Sequence, residues 1–148
     1  MSRAHGGFLP DTSCIIAAIV DWHERHDAAA REISSRLDSG ERLIVAAPAL
    51  IETYAVLTRI PAPHRLSPSD TLALLEANLF RHQLVALEAV SYRALITEAP
   101  ARSIAGGRTY DAVIARCAVR AGADAILTFN ERHFRGLAPG IEIVTPAP

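Results

Sequence analysis

A layered α/β fold is what this sequence predicts: a three-layer α/β/α sandwich around a central parallel sheet of five strands. Three observations carry that reading. Short apolar runs rich in Val, Ile and Leu alternate with longer segments of helical period. Prolines and glycines punctuate the joins. The 148 residues, half of them apolar, suffice for one packed core, so residues 1–148 read as one domain.

The elements follow in order. Phe8–Asp11 reads as a short strand, Ile15–Val20 as a short helix, and Trp22–Leu37 as a longer helix that Gly40 stops. Leu43–Ala47 is a buried strand by its β-branched content. Pro48 stands near the first helical position of Ala49–Ile60, where its missing N–H costs nothing. Pro61 and Pro63 close that helix. Ser67-Pro68-Ser69-Asp70 is a strong start signal for a helix through Phe80. Gln83–Leu87 reads as a strand, and Ser91–Ser103 as a helix weakened by Pro100. Gly106-Gly107 is a turn, and Thr109 is positioned to cap a helix Tyr110–Ala121 that Gly122 ends. Ala125–Thr128 and Ile141–Val144 are the last two strands. In such sheets, sites form at the carboxyl ends of the strands.

The net charge of -1 gives no general field for polyanions, so a nucleic-acid ligand would need a local patch or a metal. Cys14 and Cys117 lie far apart and read as buried thiols in a reducing compartment, with a bridge as the alternative. The segment Met1–Gly7 is polar and no apolar run follows it that resembles a signal peptide. No apolar run approaches the ~20 residues that span a bilayer. A cytoplasmic protein without a membrane segment is the expectation.

Three carboxylates stand beside apolar sequence. Asp11 follows the first strand, Glu52 lies within the apolar helix 49–60, and Asp111 opens Asp111-Ala112-Val113-Ile114-Ala115. A carboxylate against apolar surface costs several kcal/mol or more unless paired or coordinated. A divalent cation is the simplest shared solution. Each residue also has a plainer reading. Asp11 is a good N-cap for the helix after it. Glu52 could sit at a narrow solvent edge, tied to Arg59. Asp111 is favoured in a helix's first turn, although it points away from the Arg116/Arg120 stripe and toward Ala115 and Ala118. Weaker candidates are His23, His26 and Asp27, whose spacing suits a transition metal but more often marks a solvated face. Arg132 and His133 could meet a phosphate or simply cover a loop. Gly106-Gly107-Arg108 is no P-loop, because Lys-Ser/Thr does not follow.

Four motifs taken together resemble the PIN-domain family, specifically VapC-type toxins of toxin–antitoxin systems. They are Asp11-Thr12-Ser13, Pro48-x-x-x-Glu52, Tyr110-Asp111-Ala112-x-Ile114-Ala115, and Ile126-Leu127-Thr128-Phe129-Asn130-x-x-His133-Phe134. Their order spans nearly the whole chain. The resemblance implies a parallel sheet between helices and a Mg²⁺- or Mn²⁺-dependent ribonuclease that hydrolyses RNA phosphodiesters with metal-activated water. By this similarity Asp11, Glu52 and Asp111 hold the metal, while Thr128 orients a carboxylate or a water. Many members carry a fourth acid where this chain has Asn130, which supplies a carbonyl oxygen but no charge and puts a second metal in doubt. Glu131 is adjacent and expected to face elsewhere. Clustered carboxylates without their cation should raise at least one pKa. The resemblance further implies a cognate antitoxin that blocks the site and a homodimer; the apolar helices 49–60 and 72–80 read either as its contact faces or as core. Arg102, Arg108, Arg116 and Arg120 could form an RNA track, or each an ordinary solvated face.

Three other functions compete. A long helical arch or an extra DNA-binding element would favour a structure-specific DNA nuclease, and this chain has no room for either. A PIN-like binding module without catalysis has Asn130 as its best support. A receiver domain needs a phosphoacceptor Asp at the third strand's end and a Lys at the fifth's, and the chain contains no Lys.

Overall fold

The computed structural model describes residues 6–148; the polar stretch 1–5 lies outside the described residues. Five strands form one parallel sheet: β1 (Gly7–Pro10), β2 (Arg42–Ala46), β3 (Gln83–Val85), β4 (Ala125–Leu127) and β5 (Glu142–Val144). Their spatial order is β3-β2-β1-β4-β5. The chain therefore winds outward from β1 to β3, then returns across the sheet to place β4 on the other side of β1. Right-handed crossovers put the helices of the two halves on opposite faces. One layer holds α1 (Thr12–Ile19), α2 (His26–Asp38), α3 (Ala47–Arg59) and α4 (Pro68–Asn78). The other holds α5 (Ala89–Glu98), α6 (Arg108–Ala121) and α7 (Glu131–Phe134).

The central strands are apolar without alternation because both of their faces are covered. Phe8, Leu9, Ile44, Ile126 and Leu127 are wholly buried. Gly7 is small for a reason: a Cβ there would lie 2.5 Å from Ile44 Cδ1 on the neighbouring strand. α6 lies across β1 to β4 and buries Ala115, Cys117 and Ala118 completely.

Several element ends differ from the sequence reading, each for a local reason. α2 begins at His26 rather than Trp22, since residues 21–25 form turns that join it to α1. α4 stops at Asn78, and α5 spans Ala89–Glu98, ending ahead of Pro100. Thr109 caps nothing: α6 already starts at Arg108, with Gly107 at its N-cap and no side-chain cap. α7 has no counterpart in the sequence reading. Gly122 ends α6 in the left-handed conformation (φ 68°), which a residue without Cβ adopts freely. Cys14 and Cys117 are buried and unbridged. Among the described residues no helix is long and apolar enough to cross a membrane.

Candidate active site

The sheet order reverses between β1 and β4, and this is where a doubly wound sheet opens a crevice at its carboxyl edge. Asp11 follows β1 there, and Thr128 follows β4 beside it. The Asp11 backbone N–H still joins the sheet by donating to Leu127 O at 2.9 Å. Its side chain is only 3% exposed. It is the N-cap of α1, accepting from the Cys14 N–H at 3.0 Å through Oδ1. The same oxygen accepts from Ser13 Oγ at 2.6 Å, and Oδ2 accepts from Thr128 Oγ1 at 2.6 Å. Both hydroxyls are in turn held by the β4–α7 loop. Asn130 N–H donates to Thr128 Oγ1 at 2.9 Å, and Phe129 N–H donates to Ser13 Oγ at 3.3 Å. Two backbone donors thus act through two hydroxyls on the two oxygens of one buried carboxylate.

Asp11 is therefore both the helix cap and a cleft residue. Burial pushes its carboxyl above the ordinary 3.8, and the charge of Asp111 adds to the rise. The hydrogen bonds from Ser13, Thr128 and Cys14 oppose it.

Asp111, in the first turn of α6, is half-buried. Its carboxyl is also raised, by burial first and by the charge of Glu52 in addition. His133, from α7, opposes that rise: its Nδ1 lies 3.0 Å from Asp111 Oδ2. An ionised carboxylate only accepts, so the contact puts the imidazole proton on Nδ1. The sequence reading gave His133 no part in this cluster. The contact joins residues 22 apart across a helix and a loop, which spacing alone does not reveal.

Glu52 departs from expectation. The apolar sequence of α3 implies burial, yet Glu52 is exposed and so is Ile51, at 69%. Only Ala49, Thr53 and Leu57 of α3 are buried. Glu52 is not tied to Arg59; its Oε2 accepts from Thr12 Oγ1 at 2.8 Å, which holds it toward α1. Glu52 is thus held at a solvent-exposed edge and not among buried apolar side chains.

Asp11, Glu52, Asp111 and Asn130 line one cleft of about 290 Å³ together with Thr12 and Ser13. Thr128 stands behind Asp11, fully buried. Every donor atom that these side chains offer is oxygen except the Asn130 amide nitrogen, a set that suits a hard cation. Among the described residues no three His, Cys, Asp or Glu side chains converge as a single coordination sphere. A cation that takes one or two carboxylates and keeps several waters fits this spacing.

The other candidates make contacts within the chain and lie outside the acidic cleft. His23 accepts from Arg25 N–H, and His26 Nδ1 contacts Ala17 O. Arg108 donates to the carbonyls of His133 and Arg135, which fastens α7 to the start of α6. Arg102 donates to Gly136 O, Arg116 pairs with Glu98, and Arg120 pairs with Glu88. These arginines are engaged within the chain and do not form a free track. Glu131 opens α7 and is exposed.

Fold and site together define an α/β protein with an acidic cleft at the crossover point of its sheet. The chain belongs to the PIN-domain family, whose pattern matches residues 8–138. It is 41% identical over 139 residues to ribonuclease VapC40 of Mycobacterium tuberculosis, covering 92% of this chain and 98% of that one. Ribonuclease VapC27 of the same organism is 32% identical over 108 residues, covering 73% of this chain and 74% of the relative. Among solved structures, the DNA-bound VapBC of Salmonella typhimurium superposes with a TM-score of 0.68 at 24% identity, covering 95% and 98% of the two chains. The sarcin–ricin loop cleaving toxin VapC20 of Mycobacterium tuberculosis superposes with a TM-score of 0.67 at 15% identity, covering 91% and 98%.

Proposed function

We propose that this chain is a metal-dependent endoribonuclease, the toxin of a toxin–antitoxin pair, that hydrolyses RNA phosphodiester bonds. The observation that carries the reading is the single cleft lined by Asp11, Glu52 and Asp111, in a chain 41% identical to a ribonuclease over nearly its full length.

In this reading Asp11, Asp111 and Glu52 hold Mg²⁺ or Mn²⁺, directly or through water. When bound, the cation supplies positive charge to phosphate oxygens and lowers the pKa of a water. The chain's own residues prepare the site. Ser13 and Thr128 fix both oxygens of Asp11 and favour its ionised form. His133 does the same for Asp111, and Thr12 positions Glu52. Asn130 offers a carbonyl oxygen at the cleft wall, where it brings no charge of its own. In the hydrolysis itself, the water oxygen forms a bond to phosphorus as the bond to the leaving oxygen breaks in line with it.

The same reading gives the chain a cognate antitoxin, since relatives of this fold are found as VapBC pairs. It also gives a homodimer. An apolar cleft of about 830 Å³, lined by Ile51, Tyr92, Tyr110 and Val113, supports a contact face there. Unbridged, buried Cys14 and Cys117 suit a cytoplasmic site of action.

One observation favours a second reading, a catalytically weak PIN-like binding module: Asn130 is neutral, and the carboxylates do not converge in one coordination sphere. A single experiment separates the two. A structured RNA pool is incubated with wild type and Asp11→Asn in Mg²⁺, in Mn²⁺ and with EDTA. Cleavage that needs the cation and is abolished in the variant is expected. No cleavage and no measurable metal binding by the wild type would leave the binding module.

A further inference from the structure

Beside the acidic cleft lies a second one, of about 520 Å³, that the reaction described above does not use. The two share Ser13, Ile16, Val56 and Asn130 in their walls, so they adjoin. The second is lined by Trp22, His23, Arg25 and Phe129. Trp22 sits in the turn between α1 and α2 and is 40% exposed. Its indole is not loose: it stacks on His64 from the α3–α4 loop, centroids 4.2 Å apart and planes 23° from parallel. The Arg25 guanidinium lies over the Phe129 ring, 4.7 Å from its centroid. Among the described residues Arg25 makes no ion pair. His23 Nδ1 accepts from Arg25 N–H at 3.0 Å, which leaves the imidazole proton on Nε2 as a donor. Glu24 also lines the cleft.

We infer that this cleft binds one unpaired nucleobase of the RNA, the base of a nucleotide flanking the bond cut over Asp11, with its phosphate on Arg25. The inference rests on the ribonuclease reading and adds to it a specificity subsite. The chemistry fits such a ligand. Single-stranded RNA is recognised by stacking of splayed bases on aromatic rings and guanidinium planes, with hydrogen bonds to base edges. Trp22 and Phe129 supply rings, Arg25 supplies a plane and a charge, and His23 and Asn130 supply polar edges. A duplex base has its faces covered by its neighbours and cannot enter. The volume falls in the about 300–1,000 Å³ range of small-ligand sites. The shared wall with the acidic cleft favours the substrate itself over a protein partner as the occupant.

Trp22 is the chain's one tryptophan, so emission excited selectively in the tryptophan band, clear of the three tyrosines, reports on this cleft. Asp11→Asn is titrated in Mg²⁺ with a fluorescein-labelled single-stranded RNA decamer of mixed sequence, following label anisotropy and Trp22 emission together. Emission should quench with the same midpoint as the anisotropy, and the matching duplex should leave it unchanged. In the active enzyme, Trp22→Ala should raise KM about tenfold with kcat within about twofold, and Trp22→Phe should recover most of the loss. A thermal melt by circular dichroism establishes that both variants fold. An unchanged KM in Trp22→Ala overturns the subsite while leaving the ribonuclease standing, as does RNA that binds without moving Trp22. Emission that responds only to an antitoxin protein overturns it in favour of a protein partner. Absence of both RNA binding and cleavage in the wild type removes subsite and ribonuclease reading together.

Discussion

Thr128 Oγ1 donates to Asp11 Oδ2 and accepts from Asn130 N–H, so one hydroxyl serves a buried carboxylate and a loop at once. Thr128→Val keeps the shape and removes both bonds. Leaving a buried carboxylate short of a donor costs about 1–3 kcal/mol. Urea denaturation should show that loss, and RNA cleavage should fall with it; unchanged stability would mean that Ser13 and Cys14 suffice to hold Asp11. Asp11→Asn should behave in the opposite way. Asn caps a helix as well as Asp does, and it removes a charge that burial disfavours. The expected result is a fold as stable as wild type, with cleavage abolished. The raised carboxyls of Asp11 and Asp111 also fix a sign for pH. Between the ordinary 3.8 and their raised values the folded chain holds more protons than the unfolded one. Cation-free stability should therefore fall as pH rises through that window, the reverse of an ordinary salt-bridged Asp. Cleavage, which needs the ionised forms, should also rise with pH, over a range that moves lower as the cation concentration increases, because cation and protons compete for the same oxygens. Urea midpoints and initial rates at stepped pH check both directions.

α7 is four residues long, yet it carries His133 to Asp111 and is fastened to α6 by Arg108. His133→Ala removes a partner that lowers the Asp111 pKa, so the acidic limb of the cleavage profile should move to higher pH. Arg108→Ala should speed amide exchange over residues 131–135 with less than about 1 kcal/mol lost globally, because the contacts are exposed. Exchange rates equal to wild type would show that Phe134, fully buried, anchors α7 by itself. The longer elements were legible in the sequence because an apolar run buried on both sides, or a helix with a cap and a stop, leaves a pattern of its own. Asp11 was legible for the same reason: a strand and a helix meet at it. α7 was not, since one turn carries no period. The His133–Asp111 contact and the Ser13–Phe129 bond were hidden because they depend on how a loop packs against distant elements. Glu52 misled through a real feature of α3: Ile51 and Tyr54 are apolar but exposed, so hydrophobicity there does not report burial in the monomer.

The molecule as a whole brings a net charge of -1 to a polyanionic substrate and gathers carboxylates at its crossover crevice. Neither feature attracts phosphate. A bound divalent cation reverses both: it favours the ionised forms of Asp11 and Asp111, which burial first and neighbouring carboxylates second disfavour, and it presents positive charge at the crevice. The cation should therefore act on stability as well as on cleavage, because it binds the folded site and not the unfolded chain. Binding at about 100 times the Kd adds about 2.7 kcal/mol, which for a chain of this length is about 5–10 °C in Tm. Melts at neutral pH in saturating Mg²⁺ or Mn²⁺ and in EDTA should differ by that amount for wild type and by much less for Asp11→Asn. The shift should shrink as pH falls into the window where Asp11 and Asp111 take up protons, since protons and cation compete for the same oxygens. Identical melts with and without cation at neutral pH would remove the metal from this site, and with it the account of how so acidic a cleft receives RNA.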